Sequence, residues 1–362
     1  MRRAPRSRVR GGVAALALVG LALAACSPGD SSTRPPAASP TPTVRATGDR
    51  HLLYDGAPIF AAGSFWTTRV TDAPTNPESR QIVAALADQV AEHNGGIASF
   101  NVWKYNASIV EVAPGQPRVD VAFDDCQHKG YTPRGLTGRD GQFSDVPLPA
   151  DATPNPGNDA ALAVVSPATH ELWEFWRLKQ VDGQWQACWG GHIADTRTNP
   201  GYFEDGFGAS ASGLAGTAGA VHIQDVRAGR IDHALTLAIP GTAGWKEVSW
   251  PAQRSDGSSS STSPIKMGTR LRLPASVDVD ALGLSRIGTL VAHAAQDYGL
   301  VVSEKAGTVS IGAESGALEE RVTGTNPWNG FLDGQPSYSV LKGFPWKDLV
   351  ALPFDYGKPA AD

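Results

Sequence analysis

Sulfur is scarce in this chain: 362 residues hold three cysteines and two methionines. There is no Cys-x-x-Cys and no Cys–His spacing, so a thioredoxin-type redox pair or a thiolate metal site has no basis here. The eight histidines include no His-x-x-x-His and no His-Glu-x-x-His, and their spacing argues for no transition metal. Basic charge is also short, with 31 Lys+Arg against 36 Asp+Glu and a formal charge of −5. A nucleic-acid partner needs a basic footprint, and this composition excludes one. P-loop and dinucleotide-type glycine turns are missing as well. The apolar run "VAALALVGLALAA" is too short for a bilayer, which takes about 20 residues.

What the chain does have at its start is the order of an export signal: basic "MRRAPRSRVRGG", then the apolar run, then small residues before Cys26. Leu23-Ala24-Ala25-Cys26 resembles the lipobox of bacterial lipoproteins. The resemblance implies cleavage before Cys26 and its acylation, which would anchor the protein to the outer face of a membrane; without acylation the protein is simply secreted. Loss of residues 1–25 removes Arg2, Arg3, Arg6, Arg8 and Arg10 and leaves a more acidic protein. Residues 26–47, rich in Pro, Ser and Thr, read as a disordered tether. Residues 48–362 read as a single β-rich extracytoplasmic domain. Cys126 and Cys188 then form an even pair in an oxidising compartment, and a disulfide is expected, adding about 4 kcal/mol by loop closure.

Two segments carry helical signals. In "TNPESRQIVAALADQVAEHNGG", Asn76 can cap, and Ile82, Leu86 and Val90 recur at helical spacing; in "SRIGTLVAHAAQDYG", Ser285 is the expected cap and Gly299 the stop. "KYNASIVEV", "RVDVAF", "AALAVVS", "HALTLAI" and "TRLRLP" read as short strands, and "GLVVSEKAGTVSIGAE" as a hairpin. Many short strands with few helices predict a mainly β fold, an antiparallel β-sandwich or jelly roll with two peripheral helices. The Ser-rich stretch 255–264 reads as an exposed loop inside that domain.

The most informative segment is "ELWEFWRLKQVDGQWQACWGGHIADT", residues 171–196. Asp182-Gly183 signals a type I′ hairpin, because both central positions need positive φ. Val181 should then pair with Gln184, and the register sets Trp176 opposite Trp189, Glu174 opposite Gly191 and Trp173 opposite His192. Both faces are apolar, as in a strand covered on both sides. Glu174 is the exception: it must be paired with an arginine such as Arg177 or Arg230, carry a raised pKa, or face a cleft beside Gly191. A carboxylate beside Trp176 and Trp189 is also how proteins hold a sugar ring. His192 can stack on Trp173, or project beside Asp195 as an acid–base pair.

Other polar groups are less telling. Asp232 and His233 alternate at the start of a strand, so only one can face a given cleft, and Arg230 is a ready partner for Asp232. The Gly208–Ser212 run lacks the last glycine of Gly-x-Ser-x-Gly, so a serine nucleophile is not expected. No cofactor is expected; calcium held by loop carboxylates such as Asp124, Asp125 and Asp140 is conceivable but has no motif behind it.

Taken together, "WEFWRL", "WGG", "NPGYF", "GRIDHALTLAIP", "SWPAQRSDG", "GTRLRLP", "VDVDALGL" and "AAQDYGLVV" resemble a group of exported actinobacterial proteins. The resemblance covers about 60–350 and implies one domain, with no activity attached. The "SWPAQRSDG" block draws attention to Trp250, Gln253, Arg254 and Asp256, a polar cluster behind an aromatic. The expectation is a cell-surface lipoprotein that binds, and in one version cleaves, an envelope or environmental glycan. As a glycosidase it would use Glu174 with a second carboxylate among Asp195, Glu204 and Asp232. As a polysaccharide lyase it would use His192 or Tyr202 as base and Arg254 against a uronate. The alternative is a non-catalytic envelope or adhesion protein whose tryptophans are core.

Overall fold

The computed structural model describes residues 49–360. Cys26, the leader and the tether, on which the lipid-anchor expectation rests, lie outside the described residues. Thirteen strands are seen among the described residues: β1 (Ser99–Asn101), β2 (Ala107–Glu111), β3 (Ala122–Phe123), β4 (Ala161–Ser166), β5 (Glu171–Trp176), β6 (Lys179–Val181), β7 (Gln184–Ala187), β8 (Trp189–Ile193), β9 (Leu235–Ile239), β10 (Arg270–Arg272), β11 (Leu300–Lys305), β12 (Ser310–Gly312) and β13 (Val350–Ala351). The helices are α1 (Ser79–Ala91), α2 (Ile223–Ala228), α3 (Arg286–Asp297), α4 (Ala317–Thr323) and α5 (Trp328–Phe331).

The strands form three sheets, in the orders β1-β12-β9-β11-β10-β13, β2-β4-β5-β8 and β3-β7-β6. Each sheet is mixed. β1/β12, β9/β11, β2/β4 and β3/β7 run parallel, and the other pairs run antiparallel. The antiparallel sandwich or jelly roll is therefore corrected to an α/β architecture of three mixed sheets. Parallel pairing joins strands distant in sequence, and no local turn signal announces it.

The two expected helices form where the sequence places them, but they are not peripheral. Ile82, Leu86 and Val90 of α1 and Ile287, Val291 and Ala294 of α3 share one core with Leu235, Leu237, Ile239, Leu300, Val302 and Ile311 of the six-stranded sheet. Val301 points the other way, into a second core with Trp66, Trp173, Phe175 and Phe203. Alternation along β11 thus makes this sheet the wall between two cores. Ser285 caps α3 as expected, its hydroxyl accepting from the Gly288 amide at 2.9 Å. At α1 the Asn76 side chain instead accepts from the Glu78 amide at 2.8 Å, and the helix begins at Ser79.

The expected hairpin at 299–314 is also corrected: β11 and β12 are antiparallel but unpaired, because β9 is inserted between them. Ala306–Val309 crosses over the end of β9, with the Ala306 amide bonded to the Ile239 carbonyl. That crossing spans two inter-strand spacings, about 10 Å, which four extended residues can cover. Leu235, Leu237 and Ile239 of β9 are thereby buried on a strand with a neighbour on each side.

The 171–193 segment follows the expected register throughout. Val181 pairs with Gln184, Trp176 with Trp189, Glu174 with Gly191 and Trp173 with His192. Asp182 and Gly183 both have positive φ, 50° and 80°. The ladder changes sheet at Arg177 (φ 57°), so β6/β7 and β5/β8 belong to different sheets without a slip in register. Cys126 and Cys188 form the expected disulfide, with Cα atoms 5.6 Å apart.

Candidate functional site

A polar cavity opens at the end of β8, beside several of the expected residues. It has a volume of about 400 Å³, and its walls include Gln142, His192, Asp195, Asn199, Glu204 and Asp205. β8 delivers His192, and the chain beyond it turns through Asp195 and returns at Glu204. That turn is held locally. Asp195 accepts from the Arg197 amide and both sides of its guanidinium at 2.8–2.9 Å, and these bonds hold its carboxyl down at about 2. Asn199 accepts from the amides of Gly201 and Tyr202. Glu204 and Asp205 are exposed, and their side chains make no hydrogen bond or ion pair with another described residue.

His192 stacks on the buried Trp173, ring centroids 4.0 Å apart and planes within 5°. Its Nε2 points inward, 3.3 Å from Glu171 Oε1, close enough for an ion pair but not aligned as a hydrogen bond. Burial pushes its pKa down, against the pull of Glu171, so the ring is held toward neutrality. Glu171 is itself partly buried, which opposes its charge, yet bonds from Arg118 (2.6 Å) and Thr169 outweigh that and keep its pKa below the usual range. The carboxylate beside His192 is thus Glu171, while Asp195 belongs to Arg197. An acid–base pairing of His192 with Asp195 does not form.

Glu174 does not reach the cavity. It is 4% exposed, and its Oε1 accepts from the Thr217 amide at 2.7 Å. Burial raises its pKa to about 7, only partly offset by the Thr217 side chain and the amides of Thr217 and Gly216. Neither arginine considered for it is its partner: Arg177 lies over the Trp176 ring, and Arg230 binds Asp232 at 2.6 Å on the surface. The room expected beside Gly191 is filled, since a Cβ there would meet Phe203 and the Gly208 backbone at 2.6 Å.

The remaining expected residues are dispersed in structural tasks. Trp176 donates to Asp159 at 2.9 Å. Trp189 stacks on Phe207 and lies beneath Lys129 and Arg254. Arg254 clamps the carbonyls of Gly208 and Ser210, and Trp250 packs edge-on against Phe65. Tyr202 bridges to Leu214 through its backbone. Asp124 pairs with Lys179, and Asp125 accepts from the amides of Lys129 and Gly130, so these two loop carboxylates are engaged without calcium.

Spacing did not reveal a second grouping. His222 precedes α2, Asp225 lies in its first turn and His233 leads into β9, and one ligand atom from each falls within 4.8 Å of the others. Asp232 faces solvent while His233 turns inward, as strand alternation requires. The sequence signal that could have found this group is the His-x-x-Asp at a helix start together with that alternation. No protein family, curated protein or solved structure matches the chain.

Proposed function

We propose that this chain is an exported, lipid-anchored protein that binds a carbohydrate in the cavity at the end of β8, without cleaving it. The single observation that carries the reading is the lining of that cavity, where His192, Asp195 and Glu204 stand with Gln142, Asn199 and Asp205 around about 400 Å³. Planar amide and carboxylate groups converging on one small opening suit vicinal hydroxyls. Two unpaired carboxylates favour a neutral or amino-bearing sugar and oppose a uronate, the more so because Arg254 is occupied elsewhere. The disulfide agrees with an extracytoplasmic setting. Binding rather than hydrolysis is favoured because Glu174 is sealed onto backbone amides and His192 turns its Nε2 inward.

The test is calorimetric titration of the full chain with a panel of neutral, amino and uronate oligosaccharides, followed by product analysis. A neutral or amino sugar should bind without new chain ends, and Glu204→Gln together with Asp205→Asn should weaken it at least about tenfold, one or two lost hydrogen bonds to charged groups. Unchanged affinity in that double variant would sink the reading.

A further inference from the structure

A second site lies outside that cavity and is independent of the carbohydrate reading. We propose that His222, Asp225 and His233 form a binding site for a divalent first-row transition metal, with Zn²⁺ as the best fit.

The argument begins with the protons. His222 Nε2 lies 2.8 Å from the carbonyl oxygen of Thr217, and His233 Nδ1 lies 3.0 Å from that of Ala234. A carbonyl only accepts, so each of these nitrogens carries the N–H. In the neutral rings, the lone pairs therefore sit on His222 Nδ1 and His233 Nε2. These two atoms face the same carboxylate oxygen, Asp225 Oδ2, at 3.4 and 3.2 Å. Three lone-pair donors thus face one another; the His222 and Asp225 backbone amides answer part of that charge, and a proton or a cation between the groups would answer the rest.

Distances favour the cation. Ligands about 2.1 Å from a tetrahedral ion stand about 3.4 Å apart. Two of the three separations are already at that value, and the third is no more than 4.8 Å. The outer contacts also match: a metal-binding histidine characteristically gives its other N–H to a backbone carbonyl or carboxylate, and both rings do so. Two imidazoles and one carboxylate select borderline metals over Ca²⁺ or Mg²⁺. Tyr54 packs its ring edge against His222, which is 3% exposed, while Asp225 and His233 keep a narrow exposed edge where water would complete the coordination.

One interaction competes. The His222 amide donates to Asp225 Oδ2 at 2.7 Å and the His222 side chain accepts from the Asp225 amide in return, so in the metal-free chain the cluster can be held by protons and this capping box alone. The experiment separates these. The full chain, without an affinity tag and stripped with a chelator, is titrated with Co²⁺ followed by visible absorption, then with Zn²⁺ against a chromophoric chelator. One Co²⁺ per chain, with the intense bands of a four-coordinate ion and displacement by Zn²⁺, is expected. His233→Asn, whose amide nitrogen falls where Nδ1 bonds the Ala234 carbonyl and which removes the Nε2 ligand, should weaken Zn²⁺ at least about 100-fold, as should Asp225→Asn. Circular dichroism checks that the variants are folded. Substoichiometric Co²⁺, six-coordinate spectra, or unchanged Zn²⁺ affinity in folded His233→Asn would overturn the site and leave a proton-held cluster.

Discussion

Glu171 and Glu174 lie three residues apart on β5, an odd separation that sends them to opposite faces. On one face Glu171 meets Arg118, Thr169 and His192, and its pKa falls below the usual range although burial opposes its charge. On the other, Glu174 meets uncharged donors of Thr217 and Gly216 and no positive charge, and burial raises it to about 7. The difference lies in the compensation. A full positive charge at 2.6 Å overcomes partial desolvation, whereas amide dipoles do not overcome nearly complete desolvation. Glu171 supports a ring that lines the cavity; Glu174 is a packing element whose proton belongs to the fold.

Glu174→Gln probes this contrast with the largest expected effect. A carboxyl whose folded pKa is raised contributes most below its unfolded value, near 4.5, and that contribution declines as pH rises toward 7, then levels off. The shift corresponds to about 3 kcal/mol. Urea unfolding from pH 4.5 to 8 should show Glu174→Gln losing less stability than the native chain by about that amount, on top of a slope common to both from Glu304 and Glu314, each raised by burial to about 8. Identical slopes would show that Glu174 titrates normally. Arg118→Met acts on the other face, stranding Glu171 and uncovering Trp173. Because Arg118 and Glu171 keep some solvent contact, the cost should be about 1–2 kcal/mol at pH 7, below the range for a sealed pair. It should also shrink on acidification as Glu171 takes a proton, the reverse of the pH trend for Glu174. The smallest effect is expected for Asp232→Asn, whose exposed pairing with Arg230 should leave the unfolding midpoint unmoved. A clear shift there would mean that the surface pair has a partner of its own.

The contrast also shows what the sequence could reveal. The 171–193 register was legible because Asp182-Gly183 is a local signal and every pair follows from it. The caps and apolar spacing of α1 and α3 are local in the same way. The sheet order was not legible: placing β9 between β11 and β12 depends on contacts about 65 residues apart, which no turn residue encodes. At the cavity, Asp195, Glu204 and His192 were nameable as polar residues near a strand end, but Gln142 comes from a distant loop and the Arg118 that fixes Glu171 lies 53 residues away. The His222–Asp225–His233 group escaped because a short helix and a strand lead supply its members at irregular spacing.

The measurement that tests the central claim most directly is a single calorimetric comparison, with the sugar that binds the native chain titrated into Glu174→Gln and into the Glu204→Gln/Asp205→Asn variant. The account predicts native affinity for the first and at least about tenfold weaker binding for the second. Lost binding in folded Glu174→Gln, with native affinity in the cavity variant, would contradict it and return the functional site to the tryptophan face of the hairpin.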